Sequence, residues 1–559
     1  MKKIFPSWLE IKDSGKVDSF EDLGLENILK NIYGSAPDHE ENYETEQYKL
    51  VTGMIKNWFE GFERDSASIK KKQDILSYFI NNPDIAKEIV ETKHKDNRGD
   101  SKWINRFVFA DYGGLMRYRW GSPSDTKEII KDNSLEKEIS HFKEHHNWLS
   151  NILAKNTNKG NKEYIDLVNG LSSVKNEIKM ELESENPTYI IESSVKVYNV
   201  KDAFGLHFNY DPIVTVLSED GNKITKTGVK WSHDIIPSDL NNFAEKLGRG
   251  THQLRAVLND GKFEGTIESK SGKVKTFSLY DTEKNALPEL INSETNHVML
   301  AHLGNIVNDY QDMFNELKAI STVALYFNKI KEKGYDISFP EIAKEGNDRD
   351  IKLVNFVHPY FAYTKKKGEG ITNSVNLTEE KNMMIITGKY ASGKTTLIEA
   401  MGLDQIFFQA GAPVIASESA MKVKQNIYTQ IPKEGTIGSG SKHAEDSIRS
   451  REVIALLTKH DLYIGDEPYK ATFNGDGTIL SNMFYENLVT IGSTSLLTTQ
   501  QSDSVQYVST HDQYGKHILP IKPSDSIKFK MDPGISFKYY ALQTAEELGL
   551  TEERLQKLD

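Results

Sequence analysis

The chain has no cysteine among its 559 residues, so neither a disulfide framework nor a thiolate metal site is open to it. It also has no apolar run as long as the roughly 18 residues that a membrane-crossing helix needs. Lys2 and Lys3 are followed by Glu10 and Asp13 before any hydrophobic run could form a signal peptide. These absences lead us to expect a soluble, cytoplasmic protein. A basic excess is missing too: 81 acidic residues against 69 basic ones give a net charge of −12. Proteins that live on nucleic acid usually carry a basic balance, at least locally, so composition offers no argument for that partner. A small basic patch would still suffice for one. Hydrophobic residues make up 38% and aromatics 10%, enough to bury sizeable cores. The length implies roughly two to four domains.

Residues 1–187 read as a polar, helical region, a core or lever. The acidic run Asp38–Glu46 suits a solvated loop. Further on, Leu135, Ile139, Phe142, His146, Leu149 and Leu153 alternate four and three apart, and Tyr164, Leu167, Leu171, Val174, Ile178 and Leu182 repeat the spacing. A turn between the two runs predicts an antiparallel helical pair. His141, His145 and His146 lie on this seam with no paired carboxylates, so they read as helix-face residues rather than metal ligands.

From residue 188 to 288 the pattern changes to short β-branched and aromatic runs. Asp220-Gly221-Asn222, Asp260-Gly261-Lys262 and Ser271-Gly272-Lys273 punctuate them as hairpin turns. Lys262, Lys270, Lys273 and Lys275 are expected to cluster at the distal hairpins, where they could touch phosphates. Lysines that guard an edge strand would look the same. Residues 289–345 then read as a long helix. Met299, Leu303, Ile306, Tyr310, Met313, Leu317, Ile320, Ala324 and Phe327 hold a heptad spacing, which predicts a lever with the β-rich module inserted ahead of it.

The most informative stretch is Met383–Met401, within a domain spanning 346–559. Four apolar residues predict a buried strand, a glycine-rich turn follows, and a helix begins at Lys394. Gly388, Gly393, Lys394 and Thr395 fit the G-x-x-x-x-G-K-[ST] pattern. In that pattern the backbone N–H groups of Gly388, Lys389, Tyr390, Ala391, Ser392, Gly393, Lys394, Thr395 and Thr396 form a nest for phosphates at a helix N-terminus. The lysine reaches the β- and γ-phosphates, and the Thr395 hydroxyl can ligate Mg²⁺. Downstream, Leu462–Gly465 predicts a short strand ending in Asp466 and Glu467. The aspartate can hold Mg²⁺ through water, and the glutamate can orient or deprotonate the water that attacks the γ-phosphate.

With these residues in place, the chain resembles the MutS family of DNA mismatch-repair ATPases. LKAISTVALYF, FPEI and VNFVHPYF, with His358-Pro359, are similar to the family's approach to its ATPase domain. NSVNLTEEKNMMIITG, QAGAPVIASESA, DEPYKATFNGDG and PGISFKYYALQTAEELGL follow in the family's order. The resemblance implies a multidomain α/β protein: an ABC-type P-loop ATPase domain preceded by a helical lever domain with an inserted β-rich, clamp-like module. It implies ATP and Mg²⁺ as cofactors, a homodimer or a heterodimer with a related chain, and DNA, double-stranded or structured, as partner.

Several positions depart from the family. Lys389-Tyr390-Ala391 stand where it typically has Pro-Asn-Met, and Val357 where an arginine usually precedes His-Pro. Gly370 takes the place of an aromatic that stacks on adenine, leaving Ile371 beside it as the base-pocket candidate. Gln500 stands where a Thr-His pair has its histidine, so the γ-phosphate sensor is an amide. Ser441, in Gly438–Asp446, is the candidate for reaching a neighbouring subunit's γ-phosphate. Only about 185 mostly helical residues precede the β module, too few for the family's mismatch-binding and connector domains as well as levers. The resemblance is thus to a divergent member without direct mismatch reading. The alternative is an ATP-gated scaffold that controls a partner effector protein.

Overall fold

The computed structural model describes residues 7–35, 46–91, 145–153, 164–172, 188–200, 203–208, 213–217, 223–228, 250–259, 262–269, 272, 274–280, 310–344, 346, 349–366, 369–431, 442–469 and 474–537. The chain divides into two compact units. One comprises Met1–Pro6 with Lys93–Phe314, and the other Ser7–Thr92 with Asn315–Asp559. Strands are numbered below in chain order.

In the first unit, helices over 145–153 and 164–172 bury Leu149, Leu153, Tyr164, Leu167 and Leu171. The Tyr164 hydroxyl donates to the Leu153 carbonyl, and His146 Nε2 lies 2.9 Å from the Leu171 carbonyl oxygen. His145 Nδ1 lies 2.8 Å from the Tyr310 hydroxyl. Both histidines therefore serve helix packing. His141 and the outer seam positions lie outside the described residues.

The same unit holds an antiparallel sheet of β2 (Thr188–Val200), β3 (Ala203–Phe208), β4 (Ile213–Leu217), β5 (Lys223–Gly228), β6 (Gly250–Asn259), β7 (Lys262–Ser269) and β8 (Val274–Tyr280). The order is β5-β4-β2-β6-β7-β8, with β3 also pairing β2. Ile267 is buried while Glu264 and Glu268 on the same strand are exposed, the alternation of a sheet covered on one face. The register places two of the four lysines. Lys262 opens β7 opposite Asn259, at the β6–β7 turn, whereas Lys275 pairs with Ile267 near the β7–β8 turn. Five residues of strand, about 17 Å, separate those two register positions. Lys262 and Lys275 therefore stand toward opposite ends of β7, because successive turns of a meander fall at opposite ends of the sheet. Lys270 and Lys273 lie outside the described residues.

The second unit is mixed α/β. Its main sheet contains β1 (Lys16–Val17), β12 (Met383–Thr387), β14 (Asn426–Gln430), β15 (Leu462–Asp466), β16 (Thr494–Thr499), β17 (Ile518–Pro523) and β18 (Met531–Pro533). The order is β1-β14-β15-β16-β12-β17-β18, and every pair is parallel except β17–β18. All residues of β12 and β16 are buried, as expected for parallel strands covered on both faces. A smaller sheet orders β9 (Glu341–Ile342), β10 (Ile351–Phe356), β11 (Asn373–Leu377) and β13 (Glu418–Met421) as β11-β10-β13-β9.

Two features of this unit differ from the sequence expectation. Ser7–Thr92 groups with Asn315–Asp559, where composition drew a boundary at residue 187. Trp58 Nε1 donates to the Ala410 carbonyl at 2.6 Å, and the Phe59 and Phe327 rings lie 5.4 and 5.8 Å from Phe407. Glu63 is fully buried and accepts the backbone N–H groups of Lys12, Asp13 and Asp65 at 2.9–3.0 Å. The second feature is the helix over 310–332, which crosses the division between Phe314 and Asn315. Beyond its heptad stripe it buries Ala319, Val323, Tyr326 and Ile330 as well. A helix buried on several faces is a core element, so from Asn315 onward it is interior to its unit. It ends at 332, with Gly334 in the left-handed region at φ 90°. Met299, Leu303 and Ile306 lie outside the described residues.

Candidate nucleotide site

Strands β12 and β15 flank β16, and both end at the same edge of the parallel sheet. Their C-terminal ends carry Gly388–Thr395 and Asp466-Glu467, the place where open α/β sheets bind ligands. The turn after β12 needs its glycines. Gly388 sits at φ 140°, where a Cβ would lie 2.6 Å from Pro523, and Gly393 sits at φ 90° as the N-cap of the helix Lys394–Gln409. Ala391 is left-handed too, at φ 55°. The Ser392 hydroxyl donates to the Lys389 carbonyl at 2.8 Å and fixes the loop. Lys394 is buried, and its ammonium donates to the Gly388 and Lys389 carbonyls at 2.9 and 3.0 Å. Thr395 and Thr396 occupy the first helical turn, both half-buried.

The two halves meet through side chains. Thr395 Oγ1 donates to Asp466 Oδ1 at 3.0 Å, and the Thr498 hydroxyl of β16 donates to the same oxygen. Thr498 also accepts the Glu467 N–H at 3.1 Å, which holds Glu467 at a left-handed φ of 49°. Glu467 Oε1 lies 3.7 Å from the Lys394 ammonium and accepts from Gln500 Nε2 at 2.7 Å. Its Oε2 accepts from the Tyr390 hydroxyl at 3.3 Å. Gly388, Lys394, Thr395, Asp466, Glu467 and Gln500 are therefore brought together. Ser441 lies outside the described residues.

Three contributors were not read from the sequence. Glu399 follows Thr395 by one helical turn, so the two share a face. Burial, and then the Asp466 carboxylate, raise its pKa to about 7. The i+4 spacing from Thr395 was the available signal. Thr498 bridges both acids, as described. Phe529 is the third, at a left-handed φ of 65° and 43% exposed. Its Cδ1 lies 3.3 Å from where a Gly393 Cβ would stand. The residues that follow it are tied to the segment beside Ile371: Lys530 donates to the Thr372 carbonyl at 2.7 Å, and the Met531 N–H to Asn373 Oδ1 at 2.9 Å. Phe529 thus brings an aromatic face to the turn. Gly370 cannot, because the Tyr335 hydroxyl lies 2.7 Å from its would-be Cβ and accepts its N–H at 3.2 Å. Ile371 is half-buried. His358 caps the helix Pro359–Thr364, and burial lowers its pKa to about 4, so it is neutral there.

Among the described residues no group of three His, Cys, Asp or Glu side chains could hold a metal ion. A magnesium ion in a nucleotide site needs only one or two protein oxygens besides phosphates and water. The Thr395 hydroxyl and the Asp466 carboxylate supply such an oxygen set. A cavity of about 870 Å³ lies elsewhere, lined by Arg64, Lys344, Lys422, Lys424 and His460 among others. Arg64 is paired with Asp13, Lys422 with Glu379 and Lys424 with Asp350, so it offers little free charge and no matched catalytic pair. No helix among the described residues is long and apolar enough to cross a membrane.

The sequence model of the family MutS domain V matches residues 384–557, which include the turn, Asp466, Glu467 and Gln500. The DNA mismatch repair protein MutS of Shouchella clausii is 24% identical over 252 residues, covering 44% of this chain and 28% of that protein. The one from Streptococcus mutans is 20% identical over 536 residues, covering 91% of this chain and 58% of that protein. Endonuclease MutS2 of Borreliella burgdorferi is 27% identical over 262 residues, covering 45% of this chain and 32% of that protein. The chain thus spans less than two thirds of the length of each of these relatives. The matched segment holds the site just described, and over it the chain is similar to the MutS family.

Proposed function

We propose that the chain is a MutS-like ATPase that binds and hydrolyses Mg²⁺–ATP at this site and couples the nucleotide cycle to clamping of DNA or a DNA intermediate. The observation that carries the reading is the junction of the two motifs: Thr395 on Asp466 at 3.0 Å, with Glu467 3.7 Å from Lys394. The N–H groups of the turn and the Lys394 ammonium bind the phosphates once the lysine leaves the Gly388 and Lys389 carbonyls. Thr395 and Asp466 hold the magnesium ion, which supplies charge neutralisation at the phosphates. Glu467 orients the attacking water and takes its proton. Gln500 fixes the Glu467 carboxylate, and Phe529 offers a face on which a planar base stacks.

In this reading two copies pair with nucleotide between them, the loop with Ser441 reaching across. The β module bears the DNA contact. A second reading, an ATP-gated scaffold for a partner effector protein, draws support from the net charge of −12 and from a Glu467 carboxylate already engaged on both oxygens. ATP hydrolysis with and without duplex DNA, over a salt series, separates the two. Stimulation that weakens with salt supports clamping. ATP hydrolysis indifferent to DNA, with no DNA binding at low salt, would leave the scaffold reading.

A further inference from the structure

We propose that Tyr390 is a positioning residue that restrains Glu467, its hydroxyl standing where the attacking water must donate. The inference deepens the ATPase reading and rests on it. Glu467 is already fixed without this contact. Its N–H is held by the Thr498 hydroxyl and carbonyl, both at 3.1 Å, and Gln500 holds Oε1 at 2.7 Å. The Tyr390 bond to Oε2, at 3.3 Å, is longer and weaker, so it adds little orientation. It does occupy Oε2, the carboxylate oxygen that Gln500 does not hold.

The ring makes a second contact. The Lys394 ammonium lies 5.5 Å from its centroid, within cation–π range, while donating to the Gly388 and Lys389 carbonyls. When Lys394 turns to bind phosphate it leaves those carbonyls and the ring together. Tyr390 is 57% exposed, so its side chain has room to swing outward. Arrival of the nucleotide on the lysine thereby loosens the ring, while the hydroxyl still competes with the attacking water for Oε2 in the bound state. The arrangement keeps Glu467 covered until phosphate is bound, and leaves part of that restraint in the turnover rate.

The test compares Mg²⁺–ATP turnover by the full chain with that of Tyr390→Phe, which keeps the ring and removes only the hydroxyl. The kcat should rise about three- to tenfold, the worth of one hydrogen bond, with KM within about twofold. Tyr390→Ala should raise kcat as well, which checks that the phenylalanine has not found a new perch. Loss of a merely structural contact would not raise turnover. If wild type hydrolyses ATP and kcat in Tyr390→Phe is unchanged or lower, the restraint is refuted while the ATPase reading stands. If neither protein hydrolyses ATP, both are refuted. Turnover in Tyr390→Phe but not in wild type would support the restraint in its strongest form.

Discussion

The parallel sheet of one unit and the antiparallel sheet of the other follow opposite plans. In the first, β12 and β16 are buried throughout, so chemistry can emerge only where strands end. That is where Lys394, Thr395, Asp466 and Glu467 meet. In the second, charge runs along the strands themselves: Arg255 and Glu192 pair across β6 and β2 at 3.7 Å, 69% and 41% exposed. Its turns alternate between the two ends of the sheet, and lysines stand beside both kinds of turn. A doubly covered sheet leaves one edge, past the ends of its strands, as the place where a few polar groups meet. A meander distributes charge over its faces and turns.

The comparison breaks if a change in one unit alters the basal readout of the other, ATP binding without DNA or DNA binding without nucleotide. The largest expected effect is that of Lys394→Ala. ATP affinity should fall by about a thousandfold or more, measured calorimetrically, while DNA affinity without nucleotide stays unchanged. Next comes assembly. Saturating Mg²⁺–ATP should tighten self-association by about a hundredfold per bridging nucleotide at a hundred times its Kd, read by sedimentation. A chain that stays monomeric in the non-hydrolysing Glu467→Gln variant would contradict the composite site.

The β module should show a smaller effect, now divisible by register. Replacing Lys270, Lys273 and Lys275 together with Gln should lower the slope of log affinity against log salt by about three units. Lys262→Gln, at the other end of β7, should change it by one unit or less if a single tip meets the duplex. Basal ATPase should be untouched in both variants. If neither loses slope, the lysines are only a solvated edge.

The smallest effect concerns the core behind the turn. Asp404, on the helix Lys394–Gln409, is fully buried, and neither carboxyl oxygen has a hydrogen-bond partner. Burial raises its pKa well above the ordinary value, so the folded state holds the proton longer than the unfolded state. Stability from this group is present below its unfolded pKa and is lost as pH rises toward the folded value. Asp404→Asn should remove that slope. Its stability relative to wild type, from urea midpoints, should increase from pH 4 to pH 8 by about 2 kcal/mol.

What the sequence disclosed was what is contiguous. Strand, turn and helix follow one another over Met383–Met401, and Leu462–Glu467 carries its acids at the strand's end, so spacing alone named those residues. The contacts that finish the site join distant positions: Tyr390 meets Glu467 across 77 residues, and Trp58 meets Ala410 across 352. No local pattern encodes such pairs. The helix over 310–332 was read from one heptad stripe. Its second stripe, including Val323, Tyr326 and Ile330, shows that it is packed on several faces. The lysines of the β module illustrate a related point. Nearness in sequence does not show that the eight residues of β7 set Lys262 and Lys275 toward opposite ends of that strand.

The central claim is that Glu467 drives hydrolysis at a site built to hold Mg²⁺–ATP. Single-turnover hydrolysis and ATP affinity measured together in Glu467→Gln test it most directly. Turnover should fall by about a hundredfold or more, with ATP affinity within a few fold of wild type, because the glutamate acts on the transition state. Hydrolysis at the wild-type rate in Glu467→Gln would contradict the account.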